Sequence, residues 1–160
     1  MSINIGEPKE LMNLSIEMLN KLLADEFVML AKSWNFHWNV VGPSFGSYHA
    51  FLEKIYTEAF NNIDEIAERI KALDGIPYGT LKMYVEHARI KEYCIGETVP
   101  DAKTMFEILL EDYETIIREV RADLKTLEVQ KVMDEETISF LQDMIYRLGK
   151  TCWMIRAHLG

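Results

Sequence analysis

The chain has 160 residues, 49% hydrophobic and 27% charged, so it can bury one apolar core and is interpreted as a single domain spanning residues 1–160. Its net charge of −9 argues against a surface that neutralises phosphates and suits a protein that attracts cations. No apolar run is long enough to cross a membrane and the N-terminal residues lack a signal-peptide pattern, so we expect a cytoplasmic protein. Cys94 and Cys152 are isolated, without the spacing of a zinc site or a disulfide framework.

Glycine and proline residues divide the chain into four long segments with helical periodicity. We predict helices from about Lys9 to Asn39, Ser47 to Asp74, Pro100 to Lys131, and from Asp134 to the last turn before Gly160. The long connection from Gly75 to Pro100 has room for a short helix at Lys82 to Arg89. Two short loops and one long connection predict an all-α four-helix bundle whose middle link crosses from one end to the other.

Two histidines flank the short first loop symmetrically. His37 and His49 each lie six residues from Pro43, so in antiparallel helices they should lie at the same height. Together they could form half of a metal site. A hydrogen-bonded packing role is the alternative for each histidine taken alone.

Four polar residues share one stripe of the second predicted helix. At about 100° per residue, His49, Glu53, Asp64 and Glu68 fall within an arc of about 100°. The stripe lies between the apolar face and the fully charged face, and it also contains Phe60 and Ala67. It is therefore interpreted as a surface covered by another molecule.

The axial spacing along this helix determines whether one chain could supply all the ligands of a metal site. His49 and Asp64 are separated by about 22 Å, at about 1.5 Å per residue, which one metal ion cannot span. If two copies of the helix pack antiparallel across a two-fold axis, the His49 end of one meets the Asp64 and Glu68 end of the other. Two identical sites result. Each site has His37, His49 and Glu53 from one chain, and the residues equivalent to Asp64 and Glu68 from the other chain. Imidazole and carboxylate ligands suit divalent first-row metals such as iron.

Two motifs then become recognisable as those of a known family. Residues 35–43 read N-F-H-W-N-V-V-G-P and residues 64–70 read D-E-I-A-E-R-I. With His49 between them, they closely resemble the Dps family of ferritin-like proteins, the mini-ferritins named as DNA-binding proteins from starved cells. The resemblance covers nearly the whole chain. It implies a homo-oligomeric, dodecameric shell that stores iron and protects against oxidative stress. The shell oxidises Fe²⁺ as a ferroxidase, preferably with hydrogen peroxide and alternatively with O₂.

The resemblance also implies roles for individual residues. The ferroxidase ligands of the family match His37, His49, Asp64 and Glu68. Glu53 departs from the aspartate that many members have, and its longer side chain could bind iron directly or through water. Trp38 matches a family tryptophan that can take up stray oxidising equivalents, although an aromatic core role fits the sequence equally well.

Other functions remain as alternatives. A di-iron enzyme working inside one bundle is disfavoured, because no Glu lies three residues before any of the four histidines. A nucleoid DNA-binding protein with little ferroxidase activity is disfavoured because residues 1–10 contain no Lys/Arg-rich tail. A purely structural assembly would use the stripe only as an interface. His87 and His158 are expected to be surface or packing residues. Asp134, Glu135, Glu136 and Asp143 could line cation channels or merely complement the helix dipole.

Overall fold

The computed structural model describes residues 3–96 and 98–160, and every regular element in these ranges is an α-helix. The helices are α1 (Lys9–Asn39), α2 (Phe45–Ala72), α3 (Leu81–His87), α4 (Ala102–Glu128) and α5 (Glu135–Leu159). The four long helices and the short helix in the connection confirm the predicted ferritin-like bundle with its crossover. Glu97, inside the predicted long connection, lies outside the described residues.

The ends of the helices follow local chemistry. Asp101 caps α4 by accepting a hydrogen bond from the backbone N–H of Thr104 at 2.7 Å. The helix α2 ends two residues earlier than predicted, because Asp74 adopts a left-handed conformation with a φ of 61°. The N–H of Gly75 then bonds to the carbonyl of Ile70 at 2.9 Å. A Cβ at position 75 would meet the side chain of Ile16 at 2.9 Å, so only glycine fits there.

The bundle core is built from two helix pairs. α1 packs along α2, α4 packs along α5, and α1 also contacts α3 and α4. The predicted apolar face of α2 is buried, with Ile63 alone only partly covered, and it is formed by Phe51, Leu52, Ile55, Ala59, Ile63, Ile66 and Ile70. α1 is covered on several sides and also buries polar residues, among them Asp25, Glu26 and Lys32.

The crossover connection is fastened to α1. Tyr84 of α3 stacks on Phe27 with ring centroids 3.7 Å apart. Beyond α3, Arg89 donates to Asp25 at 2.8 Å and to Asp123 of α4 at 2.7 Å. These contacts fix the path by which the chain passes between the two helix pairs. No helix in the described ranges is both long and apolar enough to cross a membrane.

Candidate metal centre

His37 and His49 are brought together as the symmetric loop predicts. Their rings stack with centroids 3.7 Å apart and an interplanar angle of 22°. The Nδ1 atom of His37 lies 2.9 Å from the backbone carbonyl of His49, and Nδ1 of His49 lies 3.0 Å from the carbonyl of His37. The two helices are therefore tied to each other reciprocally at this height.

This reciprocal bonding defines the tautomer of both rings. A carbonyl oxygen can only accept a hydrogen bond, so each Nδ1 must carry the proton that it donates. In the neutral form, each Nε2 then keeps its lone pair and can bind a metal ion. A hydrogen bond from the non-ligating nitrogen is the usual way in which proteins orient a metal-binding histidine. The donor chemistry of this pair therefore fits a divalent metal ion.

Asp64 and Glu68 do not reach the histidines within one chain, whereas Glu53 lies one turn after His49 on the same helix. Glu53, Asp64 and Glu68 are exposed on α2. Because α2 is continuous from Phe45 to Ala72, the axial separation of about 22 Å between His49 and Asp64 applies to the folded chain. Asp64 and Glu68 take part in no side-chain hydrogen bond or ion pair with residues 3–96 and 98–160, so their oxygens are available to another molecule.

Aromatic rings surround the histidine pair. Tyr56 meets His37 edge-on with centroids 5.1 Å apart, and Trp34 stacks on Tyr56 at 5.7 Å. Trp38 lies 5.3 Å from Trp34 and is 64% exposed, so the alternative of a core role for Trp38 is wrong. Desolvation, together with the negative charge of the neighbouring Glu53, raises the pKa of the Tyr56 phenol.

Sequence reasoning did not identify Trp34 and Tyr56, although their spacing contains a signal. Trp34 precedes His37 by three residues and Trp38 by four, and Tyr56 follows Glu53 by three and His49 by seven. These are the spacings of side chains on one helix face. His87 and His158, by contrast, stack on Tyr78 and Phe51, which confirms their predicted role as packing or surface residues.

A second polar cluster lies inside the bundle, centred on the fully buried Glu26. Asn62 donates to its Oε2 at 3.2 Å, and Oε1 has no hydrogen-bond partner. Burial raises the pKa of Glu26 to about 8, against the lowering effect of Asn62. Arg147 bonds to Asn62 at 3.0 Å and to Glu65 at 2.7 Å. A protonated, neutral Glu26 at pH 7 does not need a metal ion to balance its charge.

Asp134, at the acidic start of α5, has a structural role. Asp134 is fully buried and caps α5 through the N–H of Thr137 at 2.9 Å. It also accepts from Ser15 at 2.7 Å and from Arg69 at 2.8 Å. Burial acts to raise the pKa of Asp134, but these hydrogen bonds and the Arg69 charge hold it below its usual value. A channel-lining role for Asp134 is therefore replaced by a helix-capping one.

Three acidic side chains gather near this cap. Glu7, Asp134 and Glu136 offer oxygens within 4.8 Å of one another, and they form the one such cluster found in the described ranges. Arg69 already supplies a positive charge to Asp134 there. The cluster therefore does not resemble the histidine-containing site predicted from the sequence.

Comparison with known proteins agrees with this architecture. The Ferritin-like domain family matches residues 16–160. "DNA protection during starvation protein 2" of Bacillus anthracis is 44% identical over 91% of this chain and 96% of its own length. Among solved structures, Dps from Staphylococcus aureus has a TM-score of 0.84 at 32% identity, covering 91% of this chain and 95% of its own. The DPS protein from Vibrio cholerae O1, described as a member of a superfamily of ferritin-like diiron-carboxylate proteins, has a TM-score of 0.89 at 30% identity, covering 100% and 98%. This chain belongs to the Dps family of ferritin-like proteins.

Proposed function

We propose that residues 1–160 form one ferritin-like domain that assembles into a hollow dodecamer and oxidises Fe²⁺ at sites shared between two subunits. The reciprocal hydrogen bonds of His37 and His49 carry this proposal, because they engage both Nδ1 atoms and leave the Nε2 lone pair of each neutral ring for a metal ion. Hydrogen peroxide is the proposed oxidant: two Fe²⁺, one peroxide and two protons give two Fe³⁺ and two water molecules. The ferric product is stored as mineral inside the shell, and the consumption of Fe²⁺ and peroxide protects against oxidative stress.

The carboxylate half of each site is proposed to come from the partner subunit. His37, His49 and Glu53 of one chain would bind iron together with the residues of the partner that are equivalent to Asp64 and Glu68. If two α2 helices cross antiparallel near residues 58 and 59, the required ends meet on both sides of the two-fold axis. Phe60 lies close to this crossing and is 63% exposed, which supplies an apolar contact for the interface.

The electrostatics support iron as the substrate. Exposed carboxylates on α2 and the net charge of −9 favour the approach of cations. The mixture of imidazole and carboxylate oxygens suits Fe²⁺, whereas calcium and magnesium sites are built from oxygen ligands. Trp38, beside the first histidine and exposed, is proposed to take up stray oxidising equivalents.

A DNA-binding function with little ferroxidase activity is supported by the name "DNA protection during starvation" that relatives carry. The negative net charge opposes it, because affinity for DNA arises largely from neutralised phosphates. A gel-shift assay at low salt separates the two functions, since retarded DNA would support the alternative.

Anomalous diffraction from crystals soaked anaerobically in Fe²⁺ tests the proposal. We expect iron peaks within bonding distance of Nε2 of His37 and His49 at a two-fold interface. His49→Gln should lose these peaks, whereas His87→Gln is the matched control and should keep them because His87 stacks on Tyr78 away from the pair. Iron found only inside single bundles, for example beside Glu26, would overturn the shared site.

A further inference from the structure

A surface groove lies between α4 and α5 and reaches Glu128, the last residue of α4. Its volume is about 780 Å³, and its apolar lining residues are Leu124, Ile145 and Tyr146. Three of its four charged lining residues are basic, namely Arg121, Lys125 and Lys150. None of these three side chains forms an ion pair or a hydrogen bond with residues 3–96 and 98–160. The groove therefore combines an apolar lining with an excess of positive charge.

Gly149 lines this groove although the packing of the chain does not require a glycine there. It lies in the middle of α5, where glycine destabilises a helix relative to alanine. A Cβ at position 149 would have no atom within 4 Å, whereas a Cβ at position 75 would meet Ile16. A glycine inside a helix usually has a packing or functional reason. The open space above Gly149 therefore indicates that another molecule approaches the helix backbone at this place.

The α4–α5 turn, residues 129–134, exposes apolar side chains at the same end of the bundle. Val129 is 78% exposed, and Val132 and Met133 are also exposed. Exposed apolar side chains gathered in one segment are typical of a contact surface. The segment 128–136 that contains this turn has four acidic residues and one lysine, so it is negatively charged. The turn therefore has the chemistry that complements the groove, namely apolar side chains with acidic residues beside them.

We propose that the α4–α5 turn of one copy of this chain docks into the α4/α5 groove of the next copy. This inference rests on the proposed function and names a second contact of the proposed shell. Turn and groove are different surfaces of the chain, so the contact is head to tail and closes into a ring when the rotation allows it. The two-fold contact through α2 joins only two chains. Combined with rings of three, it closes a shell of twelve subunits.

The proposed contact gives each feature of the groove a purpose. Burial of the exposed apolar residues of the turn against the apolar lining provides the hydrophobic contribution. The basic residues of the groove attract the acidic segment of a copy whose net charge is −9. The missing side chain of Gly149 lets the neighbouring turn approach the backbone of α5.

Sedimentation of variants of the full chain tests this contact from both sides. Gly149→Leu fills the groove, and Ala157→Leu is its control, because Ala157 is exposed in the last turns of α5, away from the groove. Val129→Lys places a positive charge on the turn, at the end of α4 where the helix dipole favours a cation. Thr126→Lys adds the same charge at an exposed position about 140° around α4 from Arg121, at about 100° per residue.

We expect Gly149→Leu and Val129→Lys to sediment as dimers and both controls to keep the size of the unsubstituted protein. The initial rate of peroxide-driven iron oxidation per chain should stay within about twofold, because a two-fold dimer retains both shared sites. Circular dichroism verifies that the variants keep their helices. If one does not, Lys125→Glu/Lys150→Glu replaces it, since both positions are exposed. Variants that keep the full size, or that sediment as monomers, overturn the proposed contact.

Chemical modification of lysines identifies the occupant of the groove. Lys125 and Lys150 should be acetylated several-fold more slowly in the unsubstituted assembly than in the Gly149→Leu dimer, as measured by mass spectrometry. Equal rates in the two proteins would mean that the groove is open to a different ligand, such as an organic anion, and would overturn docking of a second copy. An unsubstituted protein that is an active dimer overturns this contact and leaves the shared site intact. Absence of iron oxidation in the unsubstituted protein overturns the proposed function instead.

Discussion

Asn62 donates a hydrogen bond to one carboxylate oxygen of Glu26 and leaves the other oxygen without a partner in the centre of the bundle. Burial raises the pKa of Glu26 from 4.5 to about 8 in the folded chain. As the pH rises above 4.5, the unfolded chain releases this proton first, so the contribution of Glu26 to the free energy of unfolding falls until about pH 8 and then levels off. The cost at pH 7 is on the order of 3 kcal/mol.

Glu26→Gln should remove this pH dependence, because the amide is neutral at every pH and its oxygen can still accept from Asn62. We expect the thermal midpoint of Glu26→Gln to exceed that of the unsubstituted protein more at pH 8 than at pH 5, at equal protein concentration. Glu17→Gln on the exposed face of α1 is the control and should show no such difference. Parallel pH profiles for Glu26→Gln and the unsubstituted protein would contradict the prediction.

Asp134 supports a second prediction, since it joins the start of α5 to α1 and α2. Asp134→Ala would remove the helix cap and leave Arg69, which is largely buried, without its carboxylate. We expect a loss of about 3–5 kcal/mol in the free energy of unfolding, the range for breaking a buried ion pair. Denaturant unfolding at pH 7 measures it, with exposed Glu135→Ala as the control. Equal losses for the two variants would show that the network around Asp134 is not stabilising.

The helices and the histidine pair were predictable because both depend on local spacing. Glycine and proline mark the ends of the segments, and the symmetry of the loop around Pro43 places His37 opposite His49. The raised pKa of Glu26 and the hydrogen bonds of Asp134 were not predictable from the sequence, since both depend on which side chains of distant helices are in contact. Glu26 is buried against Asn62 of α2, and Asp134 meets Ser15 of α1, 119 positions away in the chain. The exposure of Trp38 likewise follows from tertiary packing rather than from its aromatic character.

The shared site predicts that the isolated chain is not the functional unit. Sedimentation at micromolar concentration should show one large species consistent with a dodecamer of the 18.6 kDa chain. Phe60→Glu would place a charge at the proposed crossing of two α2 helices and should reduce the size of the assembly. Ser47→Glu, at an exposed position in the first turn of α2 and far from the crossing, controls for added charge on this helix. A monomer of the unsubstituted protein under these conditions would remove the physical basis of the intersubunit site.

Mixing two inactive variants tests directly whether each chain contributes a different half to each site. His37→Gln/His49→Gln removes the imidazole half, and Asp64→Ala/Glu68→Ala removes the carboxylate half, so each variant alone should lose rapid peroxide-driven iron oxidation. A hetero-dimer of the two variants contains one site without any of these ligands and one with all of them intact. After random exchange at equal amounts, about a quarter of all sites should be restored, because about half of the dimers are mixed and each has one intact site.

The amount of recovered activity distinguishes the two geometries. If each site were built within one chain, every chain in the mixture would be defective and no activity would return. Subunit exchange is verified by mass spectrometry of differently labelled chains, and mixing each variant with a labelled copy of itself is the control. Recovered activity should rise and then fall as the mixing ratio passes through equality, because the fraction of mixed dimers is largest there. Verified exchange without recovery would refute the shared site and leave the helical bundle unaffected.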